Sequence, residues 1–240
     1  MGKFWLTLVL CFVSLESQAN SRLLVAVASN FEPTARALIA SFNQQQPSIN
    51  IALSSAASGT HFHQIINGAP YDIFLSADTH FPQKLHAAGY AGEIRGYARG
   101  KLVLTSKLPF EYQQAIQDIA LGKARLAIAN PNTAPYGLAA QQVLSNEHIS
   151  ITPIQGQNVG QALNFLTSGA VDFAFASLSQ VLHRHDIYWQ LAPAVHDPID
   201  QAAILLAMNN ADAQTFWQFL SSREATAIIV AHGYEEASVD

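Results

Sequence analysis

The chain has 240 residues, of which 50% are hydrophobic and only 12% are charged, and its net charge is −5. This composition argues against an intrinsically disordered chain and allows a sizeable hydrophobic core. Because the chain is acidic and contains no run of lysine or arginine, a nucleic-acid partner is not expected.

The N-terminus has the pattern of a secretory signal peptide, in which a charged residue precedes an apolar stretch and a small-residue cleavage site. Lys3 is the charged residue, the apolar stretch ends near Leu15, and residues 17–19 are Ser-Gln-Ala. The stretch is shorter than the roughly 20 apolar residues that a membrane span requires. We therefore predict that residues 1–19 are a signal peptide and that the mature chain is exported. Cleavage would also remove Cys11, the only cysteine, which excludes disulfide and thiolate chemistry.

Strand and helix patterns alternate along the first part of the mature chain. The unbroken apolar run Leu23–Ala28 indicates a strand that is buried on both faces. Pro33 suits the first turn of the next helix, with Ser29 or Asn30 as its N-cap. Strand, helix and strand in this order predict a parallel, doubly wound sheet. The predicted strands are 23–28, 49–53, 73–75 and 101–105. The predicted helices lie near 33–42, 58–66 and 82–88, and Asp78 is the predicted N-cap of the last one. Residues 92–100 are predicted to be a loop.

The rest of the chain continues this alternation in a second lobe and then returns to the first. We place a crossing between the lobes near residue 100, so that residues 20–100 and about 200–240 form lobe 1 and residues 101–199 form lobe 2. The segment 183–200 has no regular pattern. The predicted strands are 124–129, 151–154, 171–176 and 202–208, and the predicted helices are 110–121, 138–144, 159–166, 212–220 and 223–231.

Four junctions between a strand and the next helix lack lysine, arginine and acidic residues, and two of them fall in each predicted lobe. A helix that begins after a small-residue loop directs free backbone N–H groups and the positive end of its dipole toward a bound anion. In open α/β sheets, ligands bind at the carboxyl ends of the strands. Two lobes that face each other would therefore bring the four helix starts around one cleft. The junctions follow Ala28, Leu53, Ala129 and Ile154.

The polar groups at these junctions predict a site for a tetrahedral oxyanion with two negative charges. Neutral dipoles would hold the anion, namely the hydroxyl groups of Ser29, Ser58 and Tyr136, the amide of Asn30 and backbone N–H groups. Ser58 lies in the small-residue stretch 54–60 that opens one of the helices. Any one of these residues alone is explained more simply as a cap or turn residue. The coincidence of four junctions favours a binding site.

Catalytic and metal-binding signals are weak by comparison. The sequence contains neither the nucleophile motif G-x-S-x-G nor the zinc motif H-E-x-x-H. The histidine pairs at 61/63 and 183/185 are two residues apart, so on a helix they face different directions, and no cysteine or carboxylate cluster completes a site. His61 lies close to Ser58, which leaves an exported Ser–His hydrolase as an alternative, with Asp72 or Asp78 as the acid.

Six motifs in chain order resemble the periplasmic molybdate-binding proteins of ABC transporters. Together they cover nearly the whole mature chain. Two of them in combination are quite specific to this family: G-A-P-x-D-I-F-x-S-A-D in the first lobe and N-P-x-T-A-P-Y-G in the second. The motifs are V-A-S-N at 27–30, S-S-A-A-S-G-T at 54–60, Q-I-x-x-G-A-P-x-D-I-F-L-S-A-D at 64–78, N-P-x-T-A-P-Y-G-x-A-A at 130–140, N-V-x-x-A-L at 158–163 and F-A-x-x-S-L-S-Q-V at 173–181.

The resemblance implies a type II periplasmic binding protein, an α/β protein with two doubly wound lobes and a ligand cleft between them. Such a protein is not an enzyme and needs no cofactor. It captures molybdate, and usually tungstate, in the periplasm for the membrane permease of an ABC transporter. We expect it to be a monomer with no metal other than the molybdenum inside the anion. The alternative with the same fold is a binding protein for another oxyanion or a small organic acid.

The resemblance also implies a set of ligand-binding residues. One branch of the family uses a tyrosine in the strand that here ends at Ser177, and this sequence has no tyrosine there. It is similar instead to the branch in which Asn30 and Tyr136 supply the contacts, so Ser177 is left out of the predicted site. The implied ligands are Ser29, Asn30, Ser58, Tyr136 and, through its backbone N–H, Val159.

Overall fold

The computed structural model describes residues 22–90, 92–184 and 187–237, so the predicted signal peptide at 1–19 lies outside the described residues. No helix in these ranges is long and apolar enough to cross a membrane. The strands are β1 (Leu23–Ala28), β2 (Ile51–Ala56), β3 (Ile73–Leu75), β4 (Ile94–Gly100), β5 (Leu102–Ser106), β6 (Leu126–Ala129), β7 (Ile154–Gly156), β8 (Phe173–Ser177), β9 (Ile187–Gln190) and β10 (Ile199–Leu205). The helices are α1 (Glu32–Gln45), α2 (Ser58–Ile66), α3 (His80–Ala87), α4 (Tyr112–Ala120), α5 (Pro135–Asn146), α6 (Val159–Thr167), α7 (Leu178–Val181), α8 (Ala211–Phe219) and α9 (Arg223–Ala231).

The strands form two five-stranded sheets with the same layout. The first has the order β2-β1-β3-β10-β4 and the second has the order β7-β6-β8-β5-β9. In the first sheet β1 is parallel to β2 and β3, whereas β10 is antiparallel to β3 and β4. In the second, β6 is parallel to β7 and β8, whereas β5 is antiparallel to β8 and β9. The strands β1, β2 and β3, for which the sequence predicts parallel pairing, are parallel, and each sheet as a whole is mixed because it also contains one reversed strand.

The reversed strand in each sheet is the strand that arrives directly from the other sheet. β4 ends at Gly100 and β5 begins at Leu102, so only Lys101 separates the two sheets there. The chain returns between Gln190 and Ile199. Neither strand is reached through a βαβ crossover, which is the connection that enforces parallel pairing. The predicted lobe boundaries stay a prediction. The names "lobe 1" and "lobe 2" denote the parts of the chain that pack around the first and the second sheet.

Several predicted elements differ from those in the structure. Residues 94–100 form edge strand β4 and not a loop, and β9 lies within the segment 183–200 that has no regular sequence pattern. β10 begins at Ile199, three residues before its predicted start, and β7 begins at Ile154, where its predicted range ends. β4 and β9 are the edge strands of their sheets, and their pairing partners are distant in sequence. Their formation therefore depends on long-range pairing more than on local pattern.

The first helix is not capped as predicted. Its N-cap position is Phe31, which offers no side-chain hydrogen bond, so neither Ser29 nor Asn30 serves as the cap. The amide side chain of Asn30 is buried and bonds elsewhere. Asp78 does accept a hydrogen bond from the backbone N–H of Phe81 at 3.1 Å, although the N-cap position of α3 is one residue later. Two polar residues at the end of β1 are thus free of a capping role.

The hydrophobic core continues from one sheet to the other. Lobe 1 has its own core, which includes the edge-to-face aromatic pair Phe42 and Phe216. A second cluster fills lobe 2 and also contains three alanines from the strand ends of lobe 1. These are Ala28, Ala57 and Ala77, each fully or almost fully buried. The carboxyl ends of the lobe 1 strands therefore pack against lobe 2.

Candidate oxyanion-binding cleft

The five residues predicted to bind an anion all lie at junctions between a strand and a helix. Ser29 and Asn30 directly follow β1, and Ser58 is the first residue of α2. Tyr136 is the second residue of α5, and Val159 is the first residue of α6. Each is buried, with exposed fractions of 8% for Ser29 and at most 2% for the other four. They therefore belong to the interior between the lobes, not to an open surface.

Hydrogen bonds across the interface hold the two lobes together in this structure. The backbone N–H of Gly59 in α2 donates to the carbonyl oxygen of Thr133, just before α5, at 2.9 Å. The hydroxyl of Ser179 donates to the carbonyl oxygen of Asn30 at 2.8 Å. Gln180 Nε2 donates to the carbonyl oxygen of Ser29 at 3.3 Å. The cleft is thus closed, with α7 of lobe 2 attached to the end of β1.

Ser58 is prepared to donate a hydrogen bond into the cleft. Its side chain is fully buried, and its Oγ accepts the backbone N–H of Ala77 at 2.9 Å. With its oxygen occupied in this way, the hydroxyl proton of Ser58 is directed to a different partner. The N-cap of α2 is Ala57, whose side chain has no polar group, and among the first N–H groups of the helix that of Gly59 is already bonded to Thr133. The unused hydroxyl proton of Ser58 favours a negatively charged neighbour.

The N-terminus of α6 approaches the same place from lobe 2. The side chain of Asn158 caps this helix by accepting the backbone N–H of Gln161 at 3.0 Å. This leaves the N–H groups of Val159 and Gly160 without an acceptor inside the helix. A methyl group on Gly160 would lie 3.8 Å from Ser29 Cβ, so the first turn of α6 faces the end of β1.

Asn30 and Tyr136 meet through a residue that the sequence did not point to, Gln201 in β10. Asn30 Nδ2 donates to Gln201 Oε1 at 3.0 Å and to the hydroxyl of Tyr234 at 3.1 Å. Gln201 Nε2 donates to the hydroxyl of Tyr136 at 3.3 Å. Tyr234 in turn donates to the carbonyl oxygen of Asn30 at 2.9 Å. A polar network that includes two of the predicted site residues thus crosses from lobe 1 to lobe 2.

The tyrosines of this network stay protonated at neutral pH. Burial, reinforced by the neighbouring Tyr234, raises the pKa of Tyr136 well above its usual range. Burial also raises the pKa of Tyr234 to about 12. A protonated hydroxyl can donate to an anion. None of the five predicted residues carries a charge, so an anion bound by them would be held by neutral donors.

The structure adds four residues to the neighbourhood of the predicted site: Ser177, Ser179, Gln201 and Tyr234. Ser177 is fully buried and its hydroxyl bonds to those of Ser179 and Tyr136. The motif at 173–181 contained a signal for the two serines, since Ser177 ends β8 and Ser179 is the second residue of α7. Gln201 and Tyr234 gave no local signal, because each bonds to Asn30 from a distant part of the chain.

The contacts of His61 do not support a Ser–His hydrolase. Its two ring nitrogens lie 3.2 Å from the carbonyl oxygen of Val27 and 3.0 Å from Gln64 Oε1, and burial lowers its pKa. The Ser58 hydroxyl accepts a hydrogen bond from the backbone N–H of Ala77 and is not bonded to the His61 ring.

The two candidate acids are also engaged in structural contacts. Asp72 accepts from the backbone N–H of Leu24 and from Asn210, whereas Asp78 accepts from Ser76 and Phe81. Within residues 22–90, 92–184 and 187–237, no group of three histidine, cysteine or acidic side chains could hold a metal ion. The alternative of a catalytic triad built on Ser58 therefore has no geometric basis.

Comparison with known proteins identifies clear relatives. Residues 23–235 match the family of bacterial extracellular solute-binding proteins. The chain is 35% identical over 224 residues to the molybdate-binding protein ModA of Azotobacter vinelandii, with 88% of each chain covered. It is 33% identical over 225 residues to the ModA of Rhodobacter capsulatus, covering 90% of this chain and 89% of the relative.

The fold agrees with these relatives. The structure of the Azotobacter vinelandii periplasmic molybdate-binding protein matches with a TM-score of 0.83 at 35% identity, covering 90% of this chain and 100% of that one. The sulfate-binding protein SubI of Mycobacterium tuberculosis H37Rv matches with a TM-score of 0.65 at 16% identity, covering 90% and 87%, which shows a shared fold alone. The predicted fold class, an α/β binding protein with two lobes, is confirmed.

Proposed function

Because this chain belongs to the bacterial extracellular solute-binding proteins, and among them to the molybdate-binding proteins, we propose that it captures the molybdate dianion between its two lobes. It is a binding protein and not an enzyme, and it serves an ABC importer. The proposal is supported by the neutral, buried hydrogen-bond donors that lie at strand-to-helix junctions of both lobes. We assign the ligand contacts to Ser29, Asn30, Ser58, Tyr136 and Val159.

The proposed contacts use two kinds of donor. Ser29, Ser58 and Tyr136 donate through hydroxyl groups, and Val159 donates through its backbone N–H. The sequence predicts that Asn30 donates through its side-chain amide, but both N–H groups of that amide already have partners, so we assign the contact to its backbone N–H. A hydrogen bond to a charged group contributes about 1.5–3 kcal/mol. Five or six such bonds offset the desolvation of a dianion and leave the roughly −8 to −12 kcal/mol of a micromolar to nanomolar site.

Selectivity follows from the donor-rich lining and the closed cleft. Hydrogen phosphate carries a proton that requires an acceptor, and the groups around this site are mainly donors. Sulfate has the charge of molybdate but is smaller, so a closed cleft shaped for the larger anion leaves some of its donors unpaired. Tungstate has nearly the size and shape of molybdate. We therefore propose that tungstate occupies the same site and competes with molybdate.

The transport cycle proposed here involves motion of the two lobes. The chain crosses between the sheets at Lys101 and again within residues 191–198, and these two connections would act as the hinge. Closure on the anion would create the form that the membrane permease accepts. We propose that the mature protein works in the periplasm as a monomer after export by the N-terminal signal peptide.

Calorimetric titration of the purified mature protein with a panel of oxyanions tests this function. We expect molybdate and tungstate to bind with micromolar or tighter affinity. Sulfate and phosphate should bind at least about 100-fold more weakly than molybdate. This difference in affinity corresponds to the loss of one or two charge-assisted hydrogen bonds. Comparable binding of sulfate or phosphate would refute the proposed selectivity. Tight binding of a small organic acid without molybdate binding would replace the function with the alternative.

A further inference from the structure

Gln201 occupies an unusual position for a polar side chain. It is the third residue of β10, a mostly apolar strand of lobe 1, and only 1% of it is exposed. Its Oε1 accepts from Asn30 Nδ2 at 3.0 Å and from the hydroxyl of Tyr97 at 2.9 Å. The Tyr97 hydroxyl is also 2.9 Å from the carbonyl oxygen of Ser76, so its single proton is shared between two acceptors. The Asn30 amide donates to Oε1, and the opposite end of the Gln201 amide is the nitrogen. That nitrogen faces lobe 2.

The partner in lobe 2 is Tyr136. Gln201 Nε2 donates to its hydroxyl oxygen at 3.3 Å, which joins the ends of the two lobes through one side chain. A tyrosine hydroxyl has a single proton and an oxygen that can accept. When the oxygen accepts from Gln201, the proton of Tyr136 cannot point toward Gln201. It is left for the other groups around this hydroxyl, which in this structure are the Ser177 hydroxyl and the Asn30 side chain and which in the proposed complex include the anion.

Gly100 makes this contact possible. A methyl group at this position would overlap the hydroxyl oxygen of Tyr136 and would lie 2.6 Å from Gln201 Nε2. Gly100 is the last residue of β4, where its backbone does not adopt the left-handed conformation that favours glycine. The position therefore needs glycine for space and not for conformation. Gly100 lies beside the lobe crossing at Lys101, so the contact forms where the lobes meet.

We propose that Gln201 is a positioning residue for the oxyanion site, which fixes the hydroxyl of Tyr136 as a donor toward the ligand when the lobes close. Gly100 leaves the space in which this contact forms. The inference rests on the proposed function, since it concerns the same site. It adds that Gln201 of lobe 1 orients the hydroxyl donor of Tyr136 in lobe 2. The donor is therefore oriented at the same time as the lobes close.

A double-mutant cycle tests this role. Gln201→Leu, Tyr136→Phe and the double variant are titrated with the oxyanion that the wild-type protein binds most tightly. We expect each single variant to weaken binding about tenfold or more, and the double variant to bind no more weakly than Tyr136→Phe. A merely structural role of Gln201 would weaken binding by the same factor in both backgrounds, and that additive result would overturn the proposal.

A second pair of variants tests the contact without removing any polar group. Gly100→Ala should displace the Tyr136 hydroxyl and weaken binding about tenfold. In the Tyr136→Phe background the methyl group would still lie 2.6 Å from Gln201 Nε2 and 2.9 Å from the ring carbon Cζ, but the loss should shrink because the hydroxyl donor that it displaces is already absent. Gly96→Ala on the same strand is the matched control, since its methyl group would lie 3.3 Å from Ala237 Cβ, away from Tyr136. Equal losses for Gly100→Ala in both backgrounds would contradict the proposal.

The role of Gln201 can be tested independently of whether molybdate is the ligand. If the wild-type protein prefers an anion other than molybdate, the proposed function fails, and the cycle measured with the preferred anion still decides the role of Gln201. If no anion of the panel binds, the same cycle is measured by thermal unfolding of the ligand-free protein. Non-additive changes in Tm would then support the contact between Gln201 and Tyr136, and additive changes would overturn the proposal.

Discussion

Replacing Val159 with proline should weaken oxyanion binding by about 1.5–3 kcal/mol, which is roughly a 10- to 150-fold rise in Kd. Val159 is the first residue of α6, and proline is well tolerated at this position because the missing N–H has no partner inside the helix. The preceding residue, Asn158, has φ −149° and ψ 173°, an extended conformation that proline also accepts. The substitution therefore removes a proposed ligand donor while α6 is retained. Calorimetric titration measures the change.

Two control variants separate the donor from other effects of this substitution. Val159→Ala keeps the backbone N–H but removes most of the buried side chain, so it reports the contribution of packing alone. Ala211→Pro places proline at the first position of α8 and should leave binding unchanged. The N-cap of this helix, Asn210, bonds to Asp72 beside the start of β1, the opposite end of that strand from Ser29. If Val159→Pro binds as tightly as the wild-type protein, the N-terminus of α6 does not hold the anion.

Replacing Ser58 with alanine should weaken binding by about 1–3 kcal/mol. Ser58 is fully buried, and its oxygen accepts the N–H of Ala77, so its proton is available to the anion. Alanine removes that proposed donor and also leaves the Ala77 N–H without this partner. The variant should therefore lose both affinity and some thermal stability. Titration calorimetry and thermal unfolding of the same sample measure the two effects.

Ser222→Ala is a matched control for this prediction. Ser222 also accepts a backbone N–H through its hydroxyl, that of Ala225 at 3.1 Å, but it caps α9 and lies outside the proposed set of ligand contacts. It should lower stability to a similar degree without a change in affinity. If both alanine variants weaken binding equally, the effect of Ser58→Ala is one of stability, and Ser58 is not a ligand.

The local features of the fold could be predicted from the sequence because they depend on short-range patterns. The run Leu23–Ala28 forms the predicted buried strand with the predicted boundaries, and α9 spans Arg223–Ala231 as its periodicity indicates. The strand-to-helix junctions were recognised for the same reason. Small and polar residues that follow an apolar run mark a helix start, and all five predicted site residues do lie at such starts.

The missed features depend on contacts between distant parts of the chain. β4 has the sequence Ile-Arg-Gly-Tyr-Ala-Arg-Gly, which has no strand periodicity, and it is held by pairing with β10 about a hundred residues later in the chain. Gln201 bonds to Asn30 from 171 residues away, and Tyr234 bonds to it from 204 residues away. A single glutamine in an apolar strand gives no local sign of such partners. The polar network that joins the lobes therefore became visible only in three dimensions.

The central claim is that one closed cleft between the lobes holds a tetrahedral dianion with neutral donors from both lobes. The most direct test is a crystal structure of the mature protein grown with molybdate, with anomalous data collected at the molybdenum absorption edge. We expect one strong anomalous peak whose surrounding oxygens lie within hydrogen-bond distance of Ser29, Asn30, Ser58, Tyr136 and Val159. A peak outside this set of residues, or no peak at a molybdate concentration that saturates the protein, would show that these residues do not hold the anion.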